Sequence, residues 1–345
     1  VLGKLTNIDK LEIGMLLDKD VIDIKTGAVL IPENTTITKA FIDKLNIHGI
    51  HFVFIKEEKI SDEIQNKKLT KGYSKIESTL DNVFNEIKEG KQLKSDKIIS
   101  EMNTFVDEIA SERDILTQMR LLQKKDDYTF DHSLGVSILA ASLGKWMNYS
   151  KDKILDLSIA GLLHDIGKLK ISDEIVKKPG KLTIEEYEEM KKHSLYGYQI
   201  LLETNKFNND ILLGVLQHHE KINGTGYPNG IKGDAIHEYA KIIAVCDIYH
   251  AVTSNKVYRD KDSPLRAADY LRDESFSSLD PQITQLFLKN ISTFYVGNKV
   301  LLSDGSIGKI VYIHPQDETK PIVQIDNRFI DFFQPQEVEI LDIVI

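Results

Sequence analysis

Five histidines and two aspartates carry the chemistry of this sequence: His132, His164, His193, His218 and His219, with Asp165 and Asp247. Each falls on the apolar face of a predicted helix. His132 shares a face with Val136, Leu139 and Leu143. His164 and Asp165 close the apolar run ending in "LLHDIGK", Leu162 to Lys168. His193 lies on the stripe Met190, Ser194, Gly197 and Leu201, in a helix opened by a capping box of Thr183 and Glu186. His218 and His219 end the run of Ile211, Gly214 and Val215 at i, i+4, i+7, i+8 spacing. Asp247 lines up with Ala240, Ile243, Ala244 and Ala251 in "AKIIAVCDIYHA". A lone inward histidine is ordinarily a core residue bonded to a backbone carbonyl, and a lone inward aspartate a cap or an ion-pair member. Seven such groups are not accounted for in that way, because a core does not take up ionisable groups without partners. Neutral imidazoles and carboxylates in one dry place are what metal ions require. Seven side chains exceed what one ion takes from protein; with a position open for water on each ion they suit two, one carboxylate bridging them. Mixed histidine and carboxylate ligands favour iron or manganese over magnesium, which prefers oxygen shells.

The elements that must position these groups fall into four regions. Residues 1–58 read as a small α/β N-terminal module. In it "VIDIKTGAVLI" forms a hairpin around Thr26-Gly27, "TKAFIDKLNIHG" a helix with Phe41, Ile42 and Leu45 on one face, and "HFVFI" a strand. Residues 59–125 are a helical connector with two apolar stripes: Ile76, Leu80, Val83, Phe84 and Ile87, then Ile98, Met102, Phe105, Val106 and Ile109. Two readings fit them, packing on the chain itself or on the matching helices of a second subunit as a homodimer. Residues 126–291 run helix after helix and hold all seven candidate ligands. Residues 292–345 are a small C-terminal β domain, with "KVLLSDGSIGKIVYI" and "PIVQI" as strands around an Asp-Gly turn. The fold class is therefore mainly α, a helical bundle flanked by two small modules.

Composition narrows the context. Of the 345 residues, 41% are hydrophobic and 28% charged, the balance of an ordinary globular protein. A single cysteine, Cys246, excludes an intrachain disulfide framework and suits a reducing cytosol. No apolar run approaches the ~20 residues of a membrane span, and "VLGKLTNIDK" lacks a signal peptide's hydrophobic segment. The expectation is a cytoplasmic protein. A net charge of -9 argues against nucleic-acid polymers as partners, though not against a small anionic substrate held by local cations.

The ordered series His132, His164-Asp165 with Lys168, His193, His218-His219, Gly226-Tyr227-Pro228 and Asp247 resembles the HD-GYP family, cyclic-di-GMP phosphodiesterases within the HD metal-dependent phosphohydrolases. The likeness covers roughly residues 126–290. Its specific part is the run "HHEKINGTGYPNGIKGD" followed by "VCDIYHAVTSNKVYR". The resemblance implies an HD-type bundle in which His132, His164, Asp165 and Asp247 hold one metal. Asp165, His193, His218 and His219 would hold the other, Asp165 bridging. It also implies cyclic-di-GMP as the ligand, with Lys256 and Arg259 at positions used for substrate phosphates. Lys168, one turn beyond the His-Asp pair, faces the same site and can meet a phosphate oxygen, where otherwise it would be a solvated charge at a helix end. The stretch "NGTGYPNGIKG" is either a plain surface turn or a rim over the metals on which Tyr227 stacks on or hydrogen-bonds to a guanine. His48, His51, His237 and His314 read as local caps or surface residues. His250, three positions after Asp247, reads as packing, with support of a ligand as the alternative.

The reaction implied is hydrolysis of a phosphodiester by a hydroxide held between the two ions, with charge on the phosphoryl oxygens stabilised by the metals and Lys168. The product is linear pGpG, with further cleavage to GMP left open. Trinuclear members of the family carry a glutamate four residues before the first histidine. That position here is Tyr128, and a neutral phenol is a poor ligand, so two metals are expected. A receptor that binds cyclic-di-GMP without turnover is one alternative. Another HD nucleotide phosphohydrolase is the second, and that reading predicts no Gly-Tyr-Pro segment.

Overall fold

The computed structural model describes residues 4–11, 15–22, 29–33, 35–50, 52–55, 62–111, 128–254, 263–314, 316–326 and 328–344, positions 4, 5, 9, 62–71, 108–111, 128–130 and 344 by their backbone alone. The chain forms two compact units, Val1–Lys68 and Leu69–Ile345.

In the first unit, β1 (Lys4–Asn7), β2 (Val21–Ile22), β3 (Val29–Ile31), α1 (Lys39–Ile47) and β4 (Phe52–Ile55) follow in order. β1 and β4 pair antiparallel from Lys4↔Ile55 to Asn7↔Phe52, and β2 pairs with β3. The expected hairpin thus has both arms, while Thr26-Gly27 lies outside the described residues. Thr38 caps α1 by accepting from the Phe41 amide. Leu45 then points into a small core with Leu17, Ile31, Ile37 and Val53, and Phe41 and Ile42 pack at its edge.

α2 (Asp62–Lys88) and α3 (Ser95–Ser111) lead into the helical bundle of the second unit. Their stripes, Ile76, Leu80, Val83 and Ile87 on one helix and Ile98, Met102, Phe105 and Val106 on the other, are buried in the same core as the bundle. These stripes therefore face the chain's own bundle, and the side chain of Ile109, the last of the second stripe, lies outside the described residues. The bundle continues with α4 (Tyr128–Trp146), α5 (Lys151–Leu163), α6 (Asp173–Val176), α7 (Ile184–Lys191), α8 (His193–Leu202), α9 (Asn209–Gln217), α10 (Glu238–Thr253), α11 (Pro264–Ser275) and α12 (Pro281–Ile291). The protein is mainly α-helical.

Helix starts are written locally in the sequence. Ser150, Asn208, Ser263 and Asp280 each cap a helix through the side chain, two of them followed by proline at the first helical position. The expected Thr183–Glu186 capping box is present at α7. α4 is apolar on nearly every side and its residues Ser133 to Gly144 are all buried, so it is the central helix of the bundle. α5 and α10 pack on it, α5 through Ser137 Oγ donating to the Ser158 carbonyl at 2.8 Å.

After the bundle, β5 (Lys299–Leu302), β6 (Ile307–His314), β7 (Asp317–Ile325), β8 (Arg328–Asp331) and β9 (Ile340–Val344) form one antiparallel sheet in the order β8-β7-β6-β5-β9. Asp304-Gly305 makes the expected turn between β5 and β6, with Gly305 at φ 82° and the Asp304 carboxylate accepting from the Ser306 amide at 2.9 Å. The sheet does not stand apart: Val300, Leu302, Ile310, Val323 and Ile343 join the bundle's core. Arg272 of α11 further ties it down through Asp317 and Thr319 of β7. No helix among the described residues is long and apolar enough to cross a membrane.

Candidate metal centre

The His-Asp pair sits where α5 stops. The helix ends at Leu163, His164 is its C-cap, and Ile166–Lys170 form a tighter 3₁₀ turn. That turn lies directly against the start of α8. A Cβ on Gly167 would stand 1.8 Å from the His193 carbonyl oxygen and 2.4 Å from the Gly197 nitrogen, so only glycine lets the two backbones approach this closely. The approach brings Asp165 to His193. Gly167→Ala is accordingly expected to cost about 1–3 kcal/mol of stability, the usual cost of overpacking. It is also expected to lower turnover by about 10²-fold through displacement of Asp165. Thermal melts and kcat check both, and an unperturbed variant would contradict the close packing.

All seven predicted ligands converge. The ligand atoms of Asp165, His193, His218 and His219 lie within 4.8 Å of one another, and so do those of His132, His164 and Asp165. Asp165 belongs to both groups. Its Oδ2 faces His164 Nε2 at 3.3 Å and His132 Nε2 at 3.9 Å, while Oδ1 faces His193 Nε2 at 3.4 Å. Asp247 joins through His132, with Oδ1 3.0 Å from its Nε2. His193 and His218 turn their Nε2 atoms to one another at 3.3 Å.

Protonation states follow from burial and neighbours. Burial opposes charge on Asp165, but Lys168, His164 and His193 more than offset this and hold its pKa well below the carboxylate range. Asp247 is likewise held low, chiefly by His132 against the effect of burial. Burial pushes the His193 and His218 pKa values down, and that of His219 down to about 3. His164 is the exception: burial lowers it, yet Asp165 and Asp247 leave it raised. Two ionised carboxylates amid mostly neutral imidazoles are the donor set a divalent ion takes.

The fit can be tested on the protein itself. His164 Nε2 and Asp165 Oδ1 are buried and have no hydrogen-bond partner among the described residues. Each such atom costs about 1–3 kcal/mol when left unsatisfied. Both point into the cluster, where a cation would satisfy them. The residues fit divalent metal.

Lys168 lies in the 3₁₀ turn rather than on a continued helix, and still reaches the site, its Nζ 2.6 Å from Asp165 Oδ2. Its side chain remains 33% exposed, so it borders the open side of the cluster. Burial lowers its pKa, but Asp165 and Asp247 leave it raised and the ammonium charged. Tyr227 packs against the site, its ring centroid 4.7 Å from that of His219 and 6.2 Å from that of His193. The Gly-Tyr-Pro loop therefore folds over the ligands, with a cis peptide at Tyr227-Pro228. Lys256 and Arg259 lie outside the described residues, as does the side chain of Tyr128. His48 is the C-cap of α1 and His237 the N-cap of α10, as local readings expect.

One residue has a contact that spacing does not show. Glu220 is buried, and its Oε1 accepts from the Asn229 amide at 2.7 Å, clamping the Gly-Tyr-Pro loop to the end of α9. Its signal in the sequence is a carboxylate directly after two ligand histidines and before a glycine-rich loop. His250, read as packing with support of a ligand as the alternative, contacts His132.

The HD domain family matches residues 104–283 of the chain. The chain belongs to the HD domain family. Within its relatives, 34% identity over 227 residues links it to "Cyclic di-GMP phosphodiesterase PA4108" of Pseudomonas aeruginosa, covering 64% of this chain and 54% of that protein. "Cyclic di-GMP phosphodiesterase response regulator RpfG" of Xanthomonas campestris is 33% identical over 180 residues, covering 52% and 48%. "3'3'-cGAMP-specific phosphodiesterase 1" of Vibrio cholerae is 32% identical over 185 residues, covering 51% and 41%. The chain spans about half the length of the curated relatives it matches. Among solved structures, Bd1817, an HDG"Y"P protein from Bdellovibrio bacteriovorus, superposes with a TM-score of 0.52 at 16% identity, over 82% of this chain and 97% of that one. The fold of the HD domain here is thus the fold of that protein.

Proposed function

We propose that this HD-domain chain is a metal-dependent phosphodiesterase that hydrolyses cyclic-di-GMP to linear pGpG. The observation that carries the reading is Asp165, one carboxylate shared by two His/Asp groups, with Tyr227 folded over the histidines of one of them. The names of the relatives, cyclic di-GMP phosphodiesterases among them, support the substrate class.

In this reading His132, His164, Asp165 and Asp247 hold one iron or manganese ion, and Asp165, His193, His218 and His219 hold the other. Bound there, the ions supply acidification of the attacking water and Lewis-acid stabilisation of the phosphoryl oxygens. The chain's own residues do the rest. Lys168 presents a charged ammonium on the open side of the cluster and neutralises a non-bridging phosphate oxygen as charge builds in line with the departing 3′-oxygen. Tyr227 offers a ring face or hydroxyl to a guanine, and Glu220 holds its loop in place. Lys256 and Arg259, at positions the family uses for substrate phosphates, supply further positive charge to the substrate. A cytoplasmic setting suits the substrate. Metal-loaded protein incubated with cyclic-di-GMP, with products separated by chromatography, tests the proposal. Accumulation of pGpG supports it, whereas retention of intact cyclic-di-GMP by the protein makes the chain a receptor.

A further inference from the structure

Resting on the metal centre above, we infer that His250 is a positioning residue for the ligand His132, orienting its ring through an imidazole–imidazole hydrogen bond. A histidine that binds metal through Nε2 carries its proton on Nδ1, and that proton needs an acceptor. Three of the candidate ligands find one in the last turn of a helix, where carbonyls are unspent. His164 Nδ1 meets the Gly161 carbonyl, His193 Nδ1 that of Met190, and His218 Nδ1 that of Val215, each at 2.7 Å. His132 lies in α4. Its Nδ1 lies 3.1 Å from Nδ1 of His250, which reaches across from α10.

The surroundings are built for this contact. His250 is 1% exposed, and the Ser254 hydroxyl lies 3.1 Å from its Nδ1 and 3.3 Å from its Nε2. Its ring fills the space over Gly135, where a Cβ would stand 2.1 Å from His250 Nε2. Gly135 lies one helical turn from His132, so the central helix gives up a side chain at the place where this imidazole must lie. An imidazole can accept or donate in the Nδ1 contact, so the bond persists whichever nitrogen of His132 bears the proton.

Titration of metal-free protein with manganese chloride, read as ions bound per chain and their affinities, separates positioning from packing. Wild type is expected to bind two ions. His250→Leu keeps most of the volume but has no acceptor, and is expected to weaken the site containing His132 by about 10–100-fold, as loss of such support does. His250→Asn, whose side-chain amide can accept or donate, is expected to recover most of that loss. Gly135→Ala reaches the same end differently, since alanine favours the helix but displaces the His250 ring. Melting curves of the metal-free His250 variants are expected to lie close to wild type, whereas Gly135→Ala, overpacked against the buried ring, is expected to melt lower. Unchanged manganese affinity in His250→Leu or Gly135→Ala would overturn the role, as would an Asn variant as weak as the Leu variant. A wild type that binds no manganese would remove the metal centre itself, and this role with it.

Discussion

Asp165→Asn is expected to lower kcat by more than about 10³-fold, over ~4 kcal/mol in barrier, while the fold survives. The carboxylate faces His132 and His164 with one oxygen and His193 with the other, so among the described residues it is the one side chain placed in both ligand groups. The amide keeps its shape but turns one of those oxygens into an N–H donor and removes a negative charge from a buried cluster containing Lys168. It therefore can neither share two cations nor offset their repulsion. Metal analysis of the variant is expected to find fewer than two ions per chain. Retention of more than about a tenth of wild-type kcat, a loss below ~1.4 kcal/mol, would count against the bridge.

Lys168→Met is expected to lower kcat by about 10²–10³-fold, the effect of removing one preorganised charge from a developing oxyanion. Methionine preserves length and packing, so the change is chiefly electrostatic. The variant should differ from Asp165→Asn in one informative respect: its metal content stays at two, because Lys168 contacts Asp165 without belonging to either ligand group. An unchanged kcat would mean that Lys168 is only a counter-charge for Asp165.

The site is legible in the sequence because its chemistry is written in residue type at helical period. Histidine or aspartate on an apolar face is costly alone, so seven of them in one region require a shared interior in which they meet. Period identifies a face but not what covers it. For that reason the stripes around Leu80 and Met102 also fit a dimer seam, and only the packing shows the chain's own bundle covering them. The same gap explains His250. Its three-residue offset from Asp247 places it near the site, yet its contact depends on how α10 crosses α4 and on the space over Gly135. Lys168 reaches its expected place from a different element. Helix spacing puts it beside Asp165, and a 3₁₀ turn does the same because its i, i+3 residues also share a side. The C-terminal strands are visible from alternation and the Asp-Gly turn, while their shared core with the bundle is not, since nothing local marks which sheet face meets a helix.

The most direct measurement is turnover of cyclic-di-GMP as a function of metal bound per chain, using metal-free protein titrated anaerobically with ferrous iron or manganese. No turnover is expected without metal, and pGpG formation is expected to rise with loading and level off at two ions. Full turnover by the metal-free protein, or two bound ions with the substrate left intact, would contradict it.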